Sequence, residues 1–345
     1  MSQIDIYRPQ FMLRVAQATP KIHTLLKDSF FRRQHLSLTK HVTFDLIKDG
    51  QPMAPFTGDG IGGTLSEREG FETHQFTPPL VAPFRVLTQD DVNTRMAGEA
   101  VFNGLNPNSR RVKLLRDDIV ALNREITRRE EWMVAQTLFN GKMDIVGDGV
   151  NRTIDFGFSN YIDAENPWSN TEKANPHIDI RKAKQLASKS GYTPNVMIMN
   201  SDTLDFILEN KKMLGLLDNS GVRIGVIEPR IMRNGGTFIG HLRQTGLDLY
   251  TYDEEYRDVK NGVATRKPLV PDGKVLIAST NTPAVMLYGA IHNEKQGSVA
   301  APRVPHTYFS LNGDIRFFRL SCRPLPCPVD VSSWAVLNVL AKGKG

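Results

Sequence analysis

The sequence predicts an α+β chain built around one long helix, with an extended β segment before it and an α/β lobe after it. Three observations carry that expectation. Residues 106–141 place apolar side chains at helical spacing, with no Pro or Gly in the interior. Residues 41–47 alternate with the two-residue period of a strand, and a Gly- and Pro-rich stretch follows them. Residues 177–280 switch repeatedly between helix and strand patterns, as a separate α/β lobe does.

The helix is the clearest element. Val112, Leu115, Ile119, Leu122 and Ile126 recur at steps of three and four, and Met133 resumes the stripe after a break at Arg129. Asn106 can cap the start, Pro107 suits the first helical position, and Gly141 suits a left-handed stop. At 1.5 Å per residue the helix is roughly 50 Å long, whereas the mean helix has about 11–12 residues. Glu125 precedes Arg129 by four residues, a pairing worth about 0.2–0.5 kcal/mol. A core helix under a sheet, a coiled coil and a basic nucleic-acid-reading helix all compete for this pattern. The stripe barely reaches three heptads, and its cations are mixed with carboxylates, which favours a core helix with a solvated outer face.

The remaining elements follow in chain order. After Pro20, Ile22, Leu25, Leu26 and Phe30 make a short helical pattern on an arm whose apolar groups must dock, on this chain or on a neighbour. Val42, Phe44 and Leu46 share one face of a strand. Residues 48–70 hold no regular pattern, and residues 71–88 read as extended segments broken by Pro78, Pro79 and Pro83. The whole is a long hairpin-like loop with a soft tip. A loop of over about twenty residues in a compact domain is uncommon and usually functional or disordered. Beyond the long helix, Asp148-Gly149 marks a β-hairpin, and the polar stretch 162–176 reads as a linker. Residues 178–190 read as a helix ending at Gly191, and Ser201 reads as the cap of another with Leu204, Ile207 and Leu208 on one side. The sequence after Ala284 is mostly β, with a hairpin at Asn312-Gly313.

Length and composition bound the class. A chain of 345 residues exceeds the size at which one core stops growing, so two or more lobes are expected. The net charge of +6 permits nucleic-acid contact without requiring it. Two cysteines, Cys322 and Cys327, are too few for a disulfide scaffold and match no zinc spacing, so both read as free thiols in a reducing compartment. No signal-peptide layout and no run near the ~18 apolar residues of a membrane span is present, so the protein is expected in the cytoplasm when made, with no membrane partner.

Chemistry is sparse. Gly58, Gly60 and Gly63 fit GxGxxG, but no strand-turn-helix context surrounds them, so a mobile loop tip is the better reading. The histidines are scattered without HExxH, and no GxSxG elbow or Walker lysine occurs. Asp253, Glu254 and Glu255 form an acidic trio that reads as a solvated turn rather than an acid–base site. No cofactor, metal or catalytic constellation is expected, and the chain is read as not an enzyme.

The order of parts is more telling than any single residue. An arm, a long β loop, a long helix, a hairpin, an α/β lobe and returning strands resemble the Hong Kong 97 fold of tailed-phage major capsid proteins. More narrowly, the chain resembles the lambda-type family called phage major capsid protein E. LLKDSFFRRQHLSLTKHVTFDLI looks like that family's aromatic-basic approach to the first loop strand. FTPPLVAPFRV, residues 76–86, looks like its proline-broken exit strand. LVPDGKVLIASTNTPAVMLYGAIHN, residues 269–293, looks like its pairing of a late buried strand with a second strand.

The resemblance implies names and roles. Residues 1–40 would be the N-terminal arm and 41–88 the extended loop. Residues 89–176 would be the peripheral domain, with spine helix 107–141 and a hairpin; 177–280 would be the axial domain, and 281–345 a β return. The function implied is a head protein that self-assembles, as hexamers and pentamers, into an icosahedral shell around double-stranded DNA. Scaffold or protease, portal and decoration proteins would be separate partners, and the mature location would be the virion, after assembly in the bacterial host cytoplasm. Phe56, Gly58, Gly60, Ile61, Gly62 and Gly63 are expected at an intersubunit loop contact. Val112, Leu115, Ile119, Leu122, Ile126 and Met133 are expected in the spine-helix core. Arg110, Arg111, Lys113, Arg128 and Arg129 are candidates to face the genome through non-specific phosphate contacts; a solvated face with local ion pairs is the competing reading. Two other functions remain open: an encapsulin-type compartment enclosing a cargo protein, and a cytoplasmic α/β enzyme with a substrate loop at 48–70.

Overall fold

The computed structural model describes residues 12, 14–15, 22–47, 71–95, 106–147, 149–210, 212–213, 225–232, 234–260, 263–282, 284–293, 297–310 and 315–340. An arm helix, Leu25–Phe30, leads into β1 (Arg33–Leu36), β2 (Val42–Ile47), β3 (Phe71–Phe76) and β4 (Phe84–Leu87). A short helix, Gln89–Asn93, precedes the long helix Pro107–Asn140. Then come β5 (Lys142–Gly147), β6 (Val150–Asp155), β7 (Tyr161–Asp163), the helix Pro176–Ser188, β8 (Val196–Met199) and the helix Ser201–Leu208. Strands β9 (Gly225–Ile231), β10 (Thr237–Leu242), β11 (Leu247–Thr251), β12 (Glu255–Lys260), β13 (Val263–Pro268) and β14 (Lys274–Ala278) follow. The chain closes through β15 (Ala284–Tyr288), β16 (Ile291–Asn293), β17 (Gly297–Val299), β18 (Val304–Phe309), β19 (Arg316–Ser321), β20 (Pro324–Pro328) and β21 (Trp334–Asn338).

A seven-stranded mixed sheet, ordered β7-β21-β14-β8-β11-β10-β9, sits between two helical layers. Its central strands are apolar on both faces, as strands covered on both sides must be. Val196, Ile198, Leu276, Ala278, Trp334 and Val336 point to one core, shared with Val134, Ala135, Leu138 and Phe139 of the long helix and Leu25, Leu26, Phe30 and Phe31 of the arm. The alternate residues Met197, Met199, Val275, Ile277, Ala335 and Leu337 face Ile180, Ala183 and Ala187 and Leu204 and Ile207 of the other two helices. Residues 162–176 are not a linker. Trp168 is fully buried in this second core and its Nε1 donates to Asp179 Oδ2 at 3.1 Å, while β7 pairs in parallel with β21. A polar composition hid one indole that binds the stretch to the lobe. The cap of Ser201–Leu208 is also one residue earlier than expected: Asn200 Oδ1 accepts from Thr203 N, while Ser201 Oγ donates to Asp253.

The long helix begins and ends on the residues its sequence marks. Asn106 Oδ1 accepts from Ser109 N at 2.7 Å, and Gly141 closes the helix at φ 59°. A Cβ at Gly141 would collide with Phe158 Cβ, so glycine is needed there for space as well as for conformation. The last carbonyls are satisfied from the sheet: Trp334 Nε1 donates to Leu138 O at 3.0 Å, and Lys274 Nζ to Phe139 O at 3.3 Å. Leu115, Ile119, Leu122 and Ile126 are buried under Phe318, Leu320 and Cys322, and Met133 lies in a further core with Val42 and Met143. Val112 departs from the stripe and is 37% exposed. It lies one turn before the residues that the three-stranded sheet buries, so its helical phase is right but its cover is incomplete. Glu125 pairs with Arg85 of β4 at 3.1 Å, across the sheet contact, rather than with Arg129 along the helix.

Candidate subunit interface

Three surfaces present what a self-associating protein needs: unpaired strand ribbons, exposed apolar side chains and an arm. The first is the ribbon. Strands β2 and β3 pair antiparallel from Val42↔Phe76 to Ile47↔Phe71 and form a sheet of two strands. A two-stranded sheet is marginal in water by itself. Its base is fixed to the body: Val42 is buried, His41 Nδ1 lies 2.8 Å from Thr77 Oγ1, and Arg323 donates to Pro78 O at 3.0 Å. The connecting residues, with Phe56, Gly58, Gly60, Ile61, Gly62 and Gly63, lie outside the described residues.

The second surface was not foreseen. Strands β18, β19 and β4 form a three-stranded antiparallel sheet. Its inner face sets Phe318 and Leu320 on the long helix. Its outer face carries Tyr308 stacked on Phe317 with centroids 4.9 Å apart, Phe84 at 6.0 Å from Phe317, and His306 at 5.7 Å from Tyr308. Phe84 is 54% exposed and Val86 43%; at the end of β18, on the opposite parity, Phe309 is 57% exposed under the Arg316 guanidinium. Contiguous exposed aromatics mark an interaction surface more than solvated decoration. The signal was present in TYF and RFF on either side of Asn312-Gly313. Aromatics at both strand parities mean aromatics on both faces, and one helix can cover only one of them.

The charged residues of the long helix divide by position. Arg110 turns inward and is only 9% exposed; its Nη1 donates to Val92 O at 2.7 Å and Asn93 O at 3.2 Å. Its expected place on a genome-facing surface is therefore corrected: the guanidinium ties the helix to the end of Gln89–Asn93. Arg111 and Lys113 are half-buried, and Arg111 reaches Gln89 Oε1 at 3.4 Å. Arg128 and Arg129 are exposed, and Arg129 sits 5.0 Å over the Trp132 ring. Asp118 on the same helix has its carboxyl pushed up to about 6 by burial, against the pull of Arg85.

The third surface is the arm, which docks on this chain's own body. Strand β1 pairs in parallel with β15, from Arg33↔Val285 to Leu36↔Tyr288. Two adjacent carboxylates of the long helix, both fully buried, receive the arm helix. Glu130 bonds Arg303 Nη1 at 2.6 Å, Lys27 Nζ at 2.5 Å and Tyr288 Oη at 3.2 Å. Burial opposes its ionisation, but Arg303 and Lys27 outweigh burial and hold the carboxyl below its ordinary value. Glu131 accepts from Leu26 N at 2.8 Å and Lys27 N at 3.0 Å. Burial prevails there and pushes its carboxyl up to about 7.

No cluster of His, Cys, Asp and Glu suited to a metal occurs among the described residues. The acidic trio is divided among separate partners: Asp253 with Ser201, Glu254 with His23, Glu255 with Arg266. A cleft of about 370 Å³ between Pro176–Ser188 and the β10–β11 turn is lined by Arg181, Lys184, Lys189, Gln185, Gln244, Ser188 and Thr245, a set without a general acid–base pair. Cys322 and Cys327 are buried free thiols. No helix of the described residues is long and apolar enough to cross a membrane.

Comparison with known proteins agrees with this geometry. The model of the family phage major capsid protein E matches residues 10–339. The chain is similar to the major capsid protein of Enterobacteria phage P21, 24% identical over 97% of this chain and 100% of that protein. It is also similar to the major capsid protein of Escherichia phage lambda, 21% identical over 92% and 94% of the two chains. Among solved structures, a prophage capsid protein from E. coli CFT073 superposes with a TM-score of 0.72 at 20% identity, covering 96% of this chain and 99% of that one.

Proposed function

The chain belongs to the phage major capsid protein E family, and from that premise we propose how its surfaces build and fill a shell. It is a major capsid protein of tailed-phage type with the Hong Kong 97 fold, a structural virion protein that assembles with copies of itself. The proposal concerns which surfaces meet. The observation that supports it is the outward aromatic face of β4, β18 and β19, which is too apolar to be left in water around a subunit that works only in a shell. That face and the ribbon β2–β3 with the connection between its strands meet neighbouring subunits, within hexamers and pentamers of an icosahedral shell. Phe56 and Ile61 supply contact area at the loop, and Gly58, Gly60, Gly62 and Gly63 let it adapt to inequivalent positions. Double-stranded DNA fills the shell, and Arg111, Lys113, Arg128 and Arg129 contact its phosphates without sequence preference. Scaffold or protease, portal and decoration proteins act as separate partners, and assembly takes place in the host cytoplasm.

The test is assembly itself. Sedimentation and negative-stain microscopy of the subunit with its scaffold partner should show passage from small oligomers to shells. A subunit that stays monomeric under those conditions overturns the reading. Removing residues 51–66 and joining the ends with a short turn should leave the α/β lobe folded and abolish shell formation. Shells that hold a cargo protein instead of DNA would point to a nanocompartment, and a small monodisperse oligomer that never forms shells to an α/β enzyme.

A further inference from the structure

We propose that Glu131 is a protonation-gated latch for the arm: its neutral carboxyl holds residues 23–27 on the body through Tyr252, and its ionisation loosens them. Glu131 is fully buried and receives two backbone N–H groups, from Leu26 and Lys27. The Tyr252 hydroxyl also bonds Glu131, and it lies 3.3 Å from the His23 carbonyl, to which it can donate. A phenol has one hydrogen, so it cannot donate to both. With Glu131 protonated, the carboxyl donates to Tyr252 Oη, which donates in turn to His23 O, and every group is satisfied. With Glu131 ionised, the carboxylate is an acceptor only. It then draws the Tyr252 hydrogen to itself, and the His23 carbonyl loses its donor while a negative charge stays buried.

The charged groups around the pair set the direction. Lys27 of the arm favours the ionised form of Glu131 but is already engaged by Glu130, with Arg303 and Tyr288 on the same carboxylate. On the strand side, Glu254 faces Tyr252 and pairs with His23. On the arm itself, Asp28 is held by Thr24 Oγ1 at 2.9 Å. Among the described residues, Lys27 and Arg303 therefore both bond Glu130, and Glu131 is left with backbone and phenol partners rather than a bonded cation. The two adjacent carboxylates thus do different work: Glu130 is a permanent ionic anchor and Glu131 a conditional one. A body that grips its arm conditionally can present residues 23–31 to a neighbour in one state and keep them in another.

Hydrogen exchange on the free subunit tests this. Glu131 releases its proton near pH 7 in the seated arm and near an ordinary carboxylate value once the arm is off. The arm's opening equilibrium, corrected for intrinsic exchange rates, should therefore rise about 70-fold from pH 5 to pH 8. Core amides of β14 should show no matching change. Glu131→Gln keeps an acceptor for Leu26 N and a donor for Tyr252, and should remove most of that pH dependence. Protection of residues 24–31 that stays level from pH 5 to pH 8 in the unaltered protein overturns the proposal without recourse to any variant. So does a Glu131→Gln protein that keeps the full slope while Glu254→Gln loses it, because the His23–Glu254 pair would then be the switch.

Discussion

The two halves of the long helix obey different rules. From Asn106 to Ile126 the helix is amphipathic: Leu115, Ile119, Leu122 and Ile126 are buried beneath one three-stranded sheet and the opposite side is open to water. From Glu130 to Phe139 it is enclosed nearly all round, with Glu130, Glu131, Met133, Val134, Ala135, Thr137, Leu138 and Phe139 all buried. There it passes between the arm, the seven-stranded sheet and the strands β15 and β20. The amphipathic half holds chiefly by burial of its apolar stripe, with polar ties from Arg110 and Glu125 at its edges. An enclosed half must also satisfy every polar group it carries inside, and Glu130 and Glu131 do so only because arm, β15 and Arg303 bring the donors.

The largest effect should come from the enclosed half. Glu130→Ala leaves Lys27 and Arg303 buried without their carboxylate and should cost about 3–5 kcal/mol, measured by denaturant unfolding. Glu125→Ala, which removes one side of the exposed Arg85 pair, should cost no more than about 1 kcal/mol. Equal losses from the two would erase the distinction between the halves. In the amphipathic half, Leu122→Ala should cost about 2–5 kcal/mol by cavity formation, and a melting shift under about one degree would show that the stripe is not core.

The pH response sharpens the same contrast within two residues. Glu130 has its folded value below the ordinary 4.5, so the stability of its cluster is present above that value and is lost as pH falls through the lower, folded one. Glu131 has its folded value raised, so its contribution is full below 4.5 and is lost as pH climbs to about 7. Unfolding titrations of Glu130→Gln and Glu131→Gln should therefore remove slopes of opposite sign, the first at acid pH and the second between about 5 and 7. Removal of slopes of the same sign would mean that the two carboxyls share one environment.

A narrower contrast lies at the helix start. Arg110→Ala should cost about 1–3 kcal/mol, because the Val92 carbonyl loses a buried donor. Val112→Ala, two residues on and exposed, should stay within about 0.5 kcal/mol. A reversal of that order would return Val112 to the core and Arg110 to the surface. Neutralising Arg128 and Arg129 together should leave stability and empty-shell assembly unchanged and at most lower the retention of packaged DNA; loss of empty shells would instead place these arginines at a subunit contact.

Local chemistry determined a good deal without help. The period of the stripe, Asn106 before Pro107 and Gly141 after Asn140 bounded the long helix, because caps and amphipathicity are set within a few residues of chain. The alternation at 42–47, the turn between β5 and β6 and the helix–strand alternation of the later lobe were legible for the same reason. What needed the tertiary structure was everything decided by a partner distant in sequence. Trp168 in a polar stretch, Arg110 turned inward and Val112 left outside each depend on whether some other element reaches that spot. The outer aromatic face became visible only once the long helix had claimed the inner one. Glu130 and Glu131 read as ordinary surface charges on a helix, and periodicity can say nothing else of them. Their burial is settled by Lys27 more than one hundred residues earlier and Arg303 more than one hundred and seventy later, because a carboxylate can be buried only where the fold delivers its donors.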